Sequence, residues 1–320
     1  MNAAVVHAYD APPSYASFTD PVAADGEMLV TVTAAALHPI VKSLANGSHY
    51  GSTGKFPFIP GVDGAGKKEN GTRVFFGAGR PPYGTFAEKT IASPLVCLPL
   101  PDTLDDVTAA AIGNPGMSSW AALKFRAKFA TGESVLILGA TGVAGKLSIQ
   151  IAKRLGARRV IAVGRNPQAL EELKSLGADA VIALGQEHDA LVAAYRKEFA
   201  ENGVDVVLDY LWGEPAETLL SVVSQKGLQH SSPRIRYIQI GNSAGPNITL
   251  AGATLRSSGL ELLGSGFGSV AMEEIGKSVG EFFQEAAKKP FVFDVKAVPL
   301  REIGAYWNAS EQGTRLVFQP

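Results

Sequence analysis

Cysteine is almost missing from this chain. Cys97 is the only one among 320 residues, so an intrachain disulfide is impossible and a four-cysteine metal lobe cannot be assembled. A reducing cytosol is the simplest home for such a chain. Long apolar runs are missing too: none approaches the ~20 residues needed to span a bilayer. The first residues lack the charged-then-apolar layout of a secretion signal. Nor is there charge of one sign. Lys and Arg number 29 against 30 Asp and Glu, a formal net charge of −1, which argues against a nucleic-acid surface or a polybasic membrane patch. The histidines His7, His38, His49, His188 and His230 show no metal-ligand spacing, and Cys97, in VCLPLP, has the setting of a small apolar strand residue.

What is present is a soluble, globular composition, 46% hydrophobic and 18% charged, in a chain long enough for two domains. Short strand candidates fill residues 1–100: Ala3–Val6, Glu27–Ala35, Thr72–Phe76 and Phe86–Ile91, with Gly and Pro between them and no sustained helical period before Leu104. An all-β, barrel-like domain follows from that pattern. From Asp105 to Leu123 the pattern is helical, and Gly113-Asn114-Pro115-Gly116 is expected to break or offset it. Residues 134–263 alternate strands with helices, which implies a parallel, doubly wound sheet. A helix over 270–287 and strands over 291–298 and 315–318 form a tail expected to return to the first domain.

The stretch from Glu133 to Lys153, ESVLILGATGVAGKLSIQIAK, organises the rest. Val135–Leu138 has the composition of a strand buried on both faces. Gly139, Gly142 and Gly145 follow at the spacing of a dinucleotide-binding turn, and Val143, Leu147, Ile151 and Leu155 then share one helix face. Gly139 suits the tight turn, Gly142 leaves room for a pyrophosphate, and Gly145 brings helix and strand close. The helix N-terminus offers free amides to phosphate. Gly139, Thr141, Gly142, Val143 and Ala144 are therefore cofactor-binding candidates. The second strand ends in Gly164-Arg165-Asn166, with no carboxylate before Glu171. An NAD-preferring fold carries an acid there; an arginine suits a 2′-phosphate. Gly164 and Arg165 thus point to NADPH, the other reading of Arg165 being a solvated loop cation.

This order of parts, with Gly142-Val143-Ala144-Gly145, Gln150-Ile151-Ala152-Lys153, Leu176-Gly177-Ala178-Asp179 and Pro60-Gly61-Val62-Asp63-Gly64-Ala65-Gly66, resembles the medium-chain dehydrogenase/reductase superfamily. Within it the chain is similar to the zinc-free quinone oxidoreductase branch related to zeta-crystallin. The resemblance implies an α/β fold: a GroES-like β-barrel substrate domain (1–116), a Rossmann dinucleotide domain (117–264) and a C-terminal return (265–320). Zinc-dependent members have a His-Glu pair where this chain has Val62-Asp63, so no metal is expected. The implied reaction is hydride transfer from NADPH to a quinone or an α,β-unsaturated carbonyl. An enoyl-thioester reductase and a non-catalytic, crystallin-like NADPH binder are the alternatives.

The resemblance also supplies site candidates. Relatives carry Asn-Pro-x-Asp where this chain has His38-Pro39-Ile40-Val41, so His38 is either a hydrogen-bond donor to the acceptor or a packed histidine. Tyr50 falls near a pocket tyrosine of the relatives and is either a proton donor or a structural aromatic. Asn114 and Ser118 lie in a segment that borders the nicotinamide, Ser118 being otherwise a helix cap. Gly241 and Asn242, then Gly264 and Ser265 in Gly264-Ser265-Gly266-Phe267, follow the fifth and sixth strands, where such sheets bind ligands; those glycines also suit plain turns. The strand Leu260–Leu263 stands where relatives pair across a dimer axis, which implies a homodimer.

Overall fold

A computed structural model describes residues 1–224, 232–266, 268–309 and 313–320; His230 and Phe267, named above, lie outside them. The chain divides into two compact units, Met1–Met117 with Ile275–Pro320, and Ser118–Glu274. The described residues of 265–274, assigned above to the C-terminal return, fall instead in the second unit.

In the first unit the strands are β1 (Asn2–Val5), β2 (Ser14–Ser17), β3 (Met28–Ala36), β4 (Asp63–Lys68), β5 (Arg73–Ala78) and β6 (Lys89–Pro99). Strand β3 pairs with both β4 and β6, which closes β3-β4-β5-β6 into an antiparallel barrel. Its interior is apolar: Val30, Val32, Val74, Phe76, Phe86 and Phe318 are all buried there. The unit is not all-β, because helix α1 (Pro39–Ala45) follows β3. Pro39 at its first position suits a helix start, and with only Val41 and Ala45 buried its periodicity is too short to read from sequence.

Helix α2 (Asp106–Ala121) is continuous through Pro115, and a π-turn, Ala122–Arg126, follows it. The expected break at Gly113–Gly116 does not occur. Those glycines serve packing: a Cβ on Gly113 would lie 2.2 Å from the Phe75 ring and one on Gly116 2.1 Å from the Phe282 ring. Two aromatic side chains thus press directly on the helix backbone.

The second unit carries β7 (Ser134–Leu138), α3 (Val143–Arg154), β8 (Arg159–Gly164), α4 (Pro167–Glu172), β9 (Ala180–Ala183), α5 (His188–Lys197), β10 (Val206–Asp209), α6 (Gly213–Val223), β11 (Arg234–Gln239), α7 (Gly252–Arg256) and β12 (Gly259–Gly264). All neighbours pair parallel in the order β12-β11-β10-β7-β8-β9. This is the dinucleotide-fold order, reversing between β7 and β10. Every residue of β7 is buried, as a strand covered on both faces requires. On α3, Val143, Leu147 and Ile151 are buried, each worth roughly 1.5–3 kcal/mol relative to exposure.

Helix α8 (Met272–Lys288), β13 (Asp294–Pro299), α9 (Ile303–Tyr306) and β14 (Thr314–Gln319) complete the chain. Strand β14 pairs antiparallel with β3 and parallel with β13, so the C-terminal segment extends the barrel sheet. Among the described residues no helix is long and apolar enough to cross a membrane.

Candidate active site

The loop between β7 and α3 separates the roles of its three glycines. Gly139 has φ +87°, a left-handed conformation that favours glycine. A Cβ on Gly145 would lie 2.5 Å from both the Ala140 Cα and the Gly139 carbonyl oxygen, so Gly145 is needed for helix-to-loop contact. Gly142 differs from both. It is exposed, has ordinary extended angles (φ −74°, ψ 166°), and its Cβ would meet only the Gly139 oxygen at 3.6 Å. Nothing among the described residues requires a glycine there, and the space over it is open. The first-turn amides of α3, from Val143 and Ala144, have no intrahelical acceptors and a positive dipole end behind them. Thr141 is half-buried, and its methyl would be 2.9 Å from a Cβ on Gly164. The turn is thus a cradle of backbone amides that a side chain at position 142 would fill.

Beyond β8, Arg165 is exposed and its guanidinium makes no hydrogen bond or ion pair among the described residues. The next residue, Asn166, caps α4 by accepting from the Gln168 and Ala169 amides. Arg165 is left as a cation free to meet an anion at the carboxyl end of β8. The amide cradle and this arginine fit a phosphorylated dinucleotide.

Two side chains that the sequence reading passed over hold the other side of the β7/β10 reversal. Tyr210, just after β10, bonds Ser119 Oγ at 2.9 Å and Ser148 Oγ at 2.8 Å, and Ser118 also bonds its hydroxyl. Ser148 in turn donates to the Ala144 carbonyl in the first turn of α3. Ser118 therefore lies inside helix α2 rather than at a cap, tied to the element that carries the cradle. Asn114 is half-buried one turn earlier on α2. Burial pushes the Tyr210 phenol pKa upward, so it stays neutral as a hydrogen-bond hub.

Asp209, at the end of β10, is fully buried. It accepts from the Leu211 and Trp212 amides at 2.7 and 2.9 Å and from the Tyr237 hydroxyl at 2.7 Å. These bonds hold Trp212 at φ +56°, strained for a bulky residue. Trp212 then lines a cavity of about 320 Å³ with Gln239, Asn242, Pro246, Leu262, Leu263 and Gly264, at the carboxyl ends of β11 and β12. The signal available in the sequence was position alone: residues just after the fourth strand border the crevice of such sheets.

Burial raises the Asp209 pKa above its usual 3.8 despite those bonds. The native state therefore holds a proton that the unfolded chain releases, and stability falls as pH rises from about 3.8 through the folded pKa. Asp209→Asn keeps an acceptor for the amides and removes that ionisation. Relative to wild type, its melting temperature should rise as pH increases through this window, whereas Asp209→Ala, which orphans three donors, should cost about 3 kcal/mol or more. Thermal melts from pH 4 to 8 check both; a pH-independent gap between Asn and wild type would refute the account.

The candidates at β11 and β12 are less free than the sequence suggested. The Gly241 amide donates to the Asp209 carbonyl at 3.0 Å, and the Ser265 amide to the Gln239 carbonyl at 2.8 Å. The Gly264 carbonyl accepts from Arg126 Nε at 2.7 Å. Their backbone groups therefore serve the loops. Asn242 is exposed, and it and the open Cα face of Gly264, with nothing within 4 Å of a Cβ, border the cavity.

In the barrel unit, His38 (1% exposed) and Asp63 (6%) are buried together, with His38 Nε2 3.1 Å from Asp63 Oδ1. His38 is thus a packed histidine, yet its Nδ1 is buried with no hydrogen-bond partner. Tyr50 stands at the other extreme, 82% exposed, its ring tilted 32° to that of His49 at 4.0 Å between centroids. Its loop is pinned by Tyr9, whose ring covers Gly47 and whose hydroxyl accepts from the Gly54 amide at 2.6 Å.

Comparison with known proteins now bears on this geometry. Residues 144–284 match a family model described as a zinc-binding dehydrogenase. Over its whole length the chain is 27% identical to an Emericella nidulans protein named "Probable NADPH-dependent quinone reductase tdiC", covering all of both chains. It is 28% identical to human quinone oxidoreductase over 65% of this chain and 64% of that one. The structure of a quinone oxidoreductase from Thermus thermophilus, solved also as its complex with NADPH, superposes with a TM-score of 0.81 at 26% identity over all of both chains. Over its whole length the chain is thus similar to quinone oxidoreductases.

The match to a model described as zinc-binding raises the question of zinc, and the described residues do not fit one. Among the described residues no group of three or more His, Cys, Asp or Glu side chains could hold a metal, and Cys97 is buried in β6. His38 and Asp63, bonded to each other through Nε2 and Oδ1, supply only two possible ligand groups. Most of the residues carrying the family resemblance hold the fold. Lys153 Nζ lies 2.6 Å from Asp179, whose carboxylate also accepts the Val160 amide at 2.6 Å. Cβ atoms on Gly64 and Gly66 would lie 2.7 and 2.3 Å from carbonyls of β3, so these glycines set the spacing of the barrel strands.

Proposed function

We propose that this protein is a zinc-independent, NADPH-dependent reductase that passes a hydride to a quinone or to a similarly electron-poor α,β-unsaturated carbonyl. The observation that carries the reading is the open space over Gly142, flanked by the α3 amides and by the unpaired Arg165. When bound there, NADPH supplies the hydride. The amides of Val143 and Ala144 hold its pyrophosphate, Arg165 holds the 2′-phosphate, and Ser118 and the residues around Asn242 and Gly264 border the remainder. The names of the quinone reductase relatives support the same cofactor and acceptor, and they lend nothing to a thioester reductase or a non-catalytic binder.

The test is oxidation of NADPH and of NADH, followed by absorbance of the reduced nicotinamide, against a panel of benzoquinones, naphthoquinones and enones. Turnover is expected with NADPH and a quinone, and absence of acceptor-dependent oxidation across the panel would refute the reading.

We also read the protein as a cytoplasmic homodimer joined along β12. That strand is the sheet edge, with Leu262 37% exposed on it, and an uncovered apolar edge invites strand pairing. Light scattering should give twice 33.5 kDa, and Leu262→Lys should shift the species to monomer; a monomeric wild type overturns this.

A further inference from the structure

Trp212 is held in a backbone conformation that its size disfavours. Its φ of +56° and ψ of −160° lie at the edge of a region occupied almost only by glycine. The other two tryptophans, Trp120 and Trp307, are buried, and neither has a positive φ. Filling a core therefore does not explain the conformation at 212, where the side chain is only half-buried. Backbone strain of this kind persists where the surroundings over-determine it, and it collects at ligand sites.

One buried carboxylate imposes the conformation. Asp209 accepts the Leu211 and Trp212 amides on Oδ1 and the Tyr237 hydroxyl on Oδ2. The Tyr237 ring meets the indole edge-to-face at 6.3 Å between centroids. Asp209 thus fixes both the backbone of Trp212 and the ring packed against it. The adjoining loops are locked together as well. The Ala244 amide donates to the Leu211 carbonyl at 2.8 Å, and Ser243 Oγ donates to the Tyr210 carbonyl at 3.0 Å. A Cβ on Gly213 would lie 2.9 Å from the Ala244 carbonyl oxygen, so the two loops touch backbone to backbone there.

The result is an indole set in the wall of the cavity of about 320 Å³ at the ends of β11 and β12. That size is at the small end of ligand pockets and suits a molecule of one or two rings. Pro246 and Leu263 add apolar wall. The Asn242 side-chain amide and the Trp212 Nε1–H have no hydrogen-bond partner among the described residues. An indole face is electron-rich and stacks best on a flat, electron-poor ring. A quinone is such a ring, and its carbonyl oxygens accept from groups like the Asn242 amide. Reduced nicotinamide, an electron-rich dihydropyridine, is not.

We propose that Trp212 is a specificity-determining residue: its indole, set by the Asp209 bonds, stacks on the flat ring of a quinone acceptor seated in this cavity. The inference rests on the reductase reading above and adds to it a preference for planar acceptors over saturated carbonyl compounds. Asn242 and Gly264, which border the cofactor in that reading, also line the cavity, so cofactor and acceptor share a rim.

Affinities for menadione and for cyclohexanedione, a diketone without a flat ring, are to be measured by calorimetry at saturating NADP⁺, which has no hydride to give. The proteins are wild type, Trp212→Phe, Trp212→Gly and Trp212→Ala. NADP⁺ affinity, kcat/KM for menadione at saturating NADPH and thermal melts are recorded on each. Trp212→Gly is expected to bind menadione ~10-fold more weakly, the scale of one lost ring stack, with cyclohexanedione and NADP⁺ changed less than about twofold. Its kcat/KM for menadione should fall by the same factor. Trp212→Phe, which keeps a ring, should stay within about threefold of wild type. Trp212→Gly should also melt above Trp212→Ala, the reverse of the usual order, because glycine relieves the positive φ. Equal loss of both diketones, a loss confined to NADP⁺, or a melting order with alanine above glycine overturns the proposal.

Should the glycine or alanine variant not fold, the indole ¹⁵N–H resonances of the wild type decide. Of the three tryptophan signals, the one missing in Trp212→Phe should shift on adding menadione, and an unmoved signal overturns the assignment. Turnover by the wild type with unchanged kcat/KM in Trp212→Gly sinks this inference and leaves the reductase reading standing. A wild type without turnover sinks both.

Discussion

Gly142→Val will bind NADPH at least ~100-fold more weakly than wild type while unfolding within about 1 kcal/mol of it. The prediction follows from the three glycines having different neighbours. A side chain at 142 meets one carbonyl oxygen at a comfortable 3.6 Å, and the extended angles there suit a β-branched residue. Space that the protein leaves open is the space a pyrophosphate needs to reach the α3 amides. Losing two charge-assisted bonds of roughly 1.5–3 kcal/mol each accounts for the drop.

Gly145→Ala should do the reverse. Its Cβ would lie 2.5 Å from backbone atoms that cannot rotate away, and overpacking of this kind costs ~1–3 kcal/mol. Affinity in the fraction that remains folded should suffer less than in Gly142→Val. Calorimetric titration with NADPH and thermal melts on both variants decide the matter. Equal affinity in Gly142→Val and wild type would remove the nucleotide from this turn.

The second large effect concerns cofactor choice. Arg165→Asp should lose ~10–100-fold in kcat/KM with NADPH, the scale of one charge-assisted contact, and should gain with NADH, so that the preference reverses. The side chain is exposed and unpaired among the described residues, so the substitution breaks no internal contact there and the melting temperature should hold. The carboxylate would repel a 2′-phosphate and can accept from a 2′-hydroxyl. Retention of the wild-type NADPH preference in Arg165→Asp would show that the 2′-phosphate lies elsewhere.

Much of the second unit was legible before any coordinates. The strands read at Val135–Leu138 and Leu260–Leu263 lie within one residue of the bounds of β7 and β12, because strands in such a sheet are short apolar blocks separated by helical periods. The misreadings have local causes. Gly113-Asn114-Pro115-Gly116 looked like a break, since neither glycine announces that Phe75 or Phe282 will press on it. Strand β4, DGAGKK, has the composition of a turn; it is a strand because its glycines let β3 approach. Helices α1 and α7 are too short to show a period.

The sequence by itself determined the order of parts, the glycine-rich turn after β7, the absence of a carboxylate just after β8 and the shortage of cysteine. These are properties of neighbours in the chain or of simple counts, and no folding is needed to see them. Only the tertiary structure decided that Gly142 is the glycine left open and that Gly241, Gly264 and Ser265 have backbone groups already engaged. It also decided that Tyr210 ties α2 to α3 and that His38 meets Asp63, 25 residues away. The reason is physical: vacancy, satisfaction of a hydrogen bond and the pairing of buried polar groups depend on atoms distant in sequence, and they take a value only once the backbone has brought those atoms within a few ångströms.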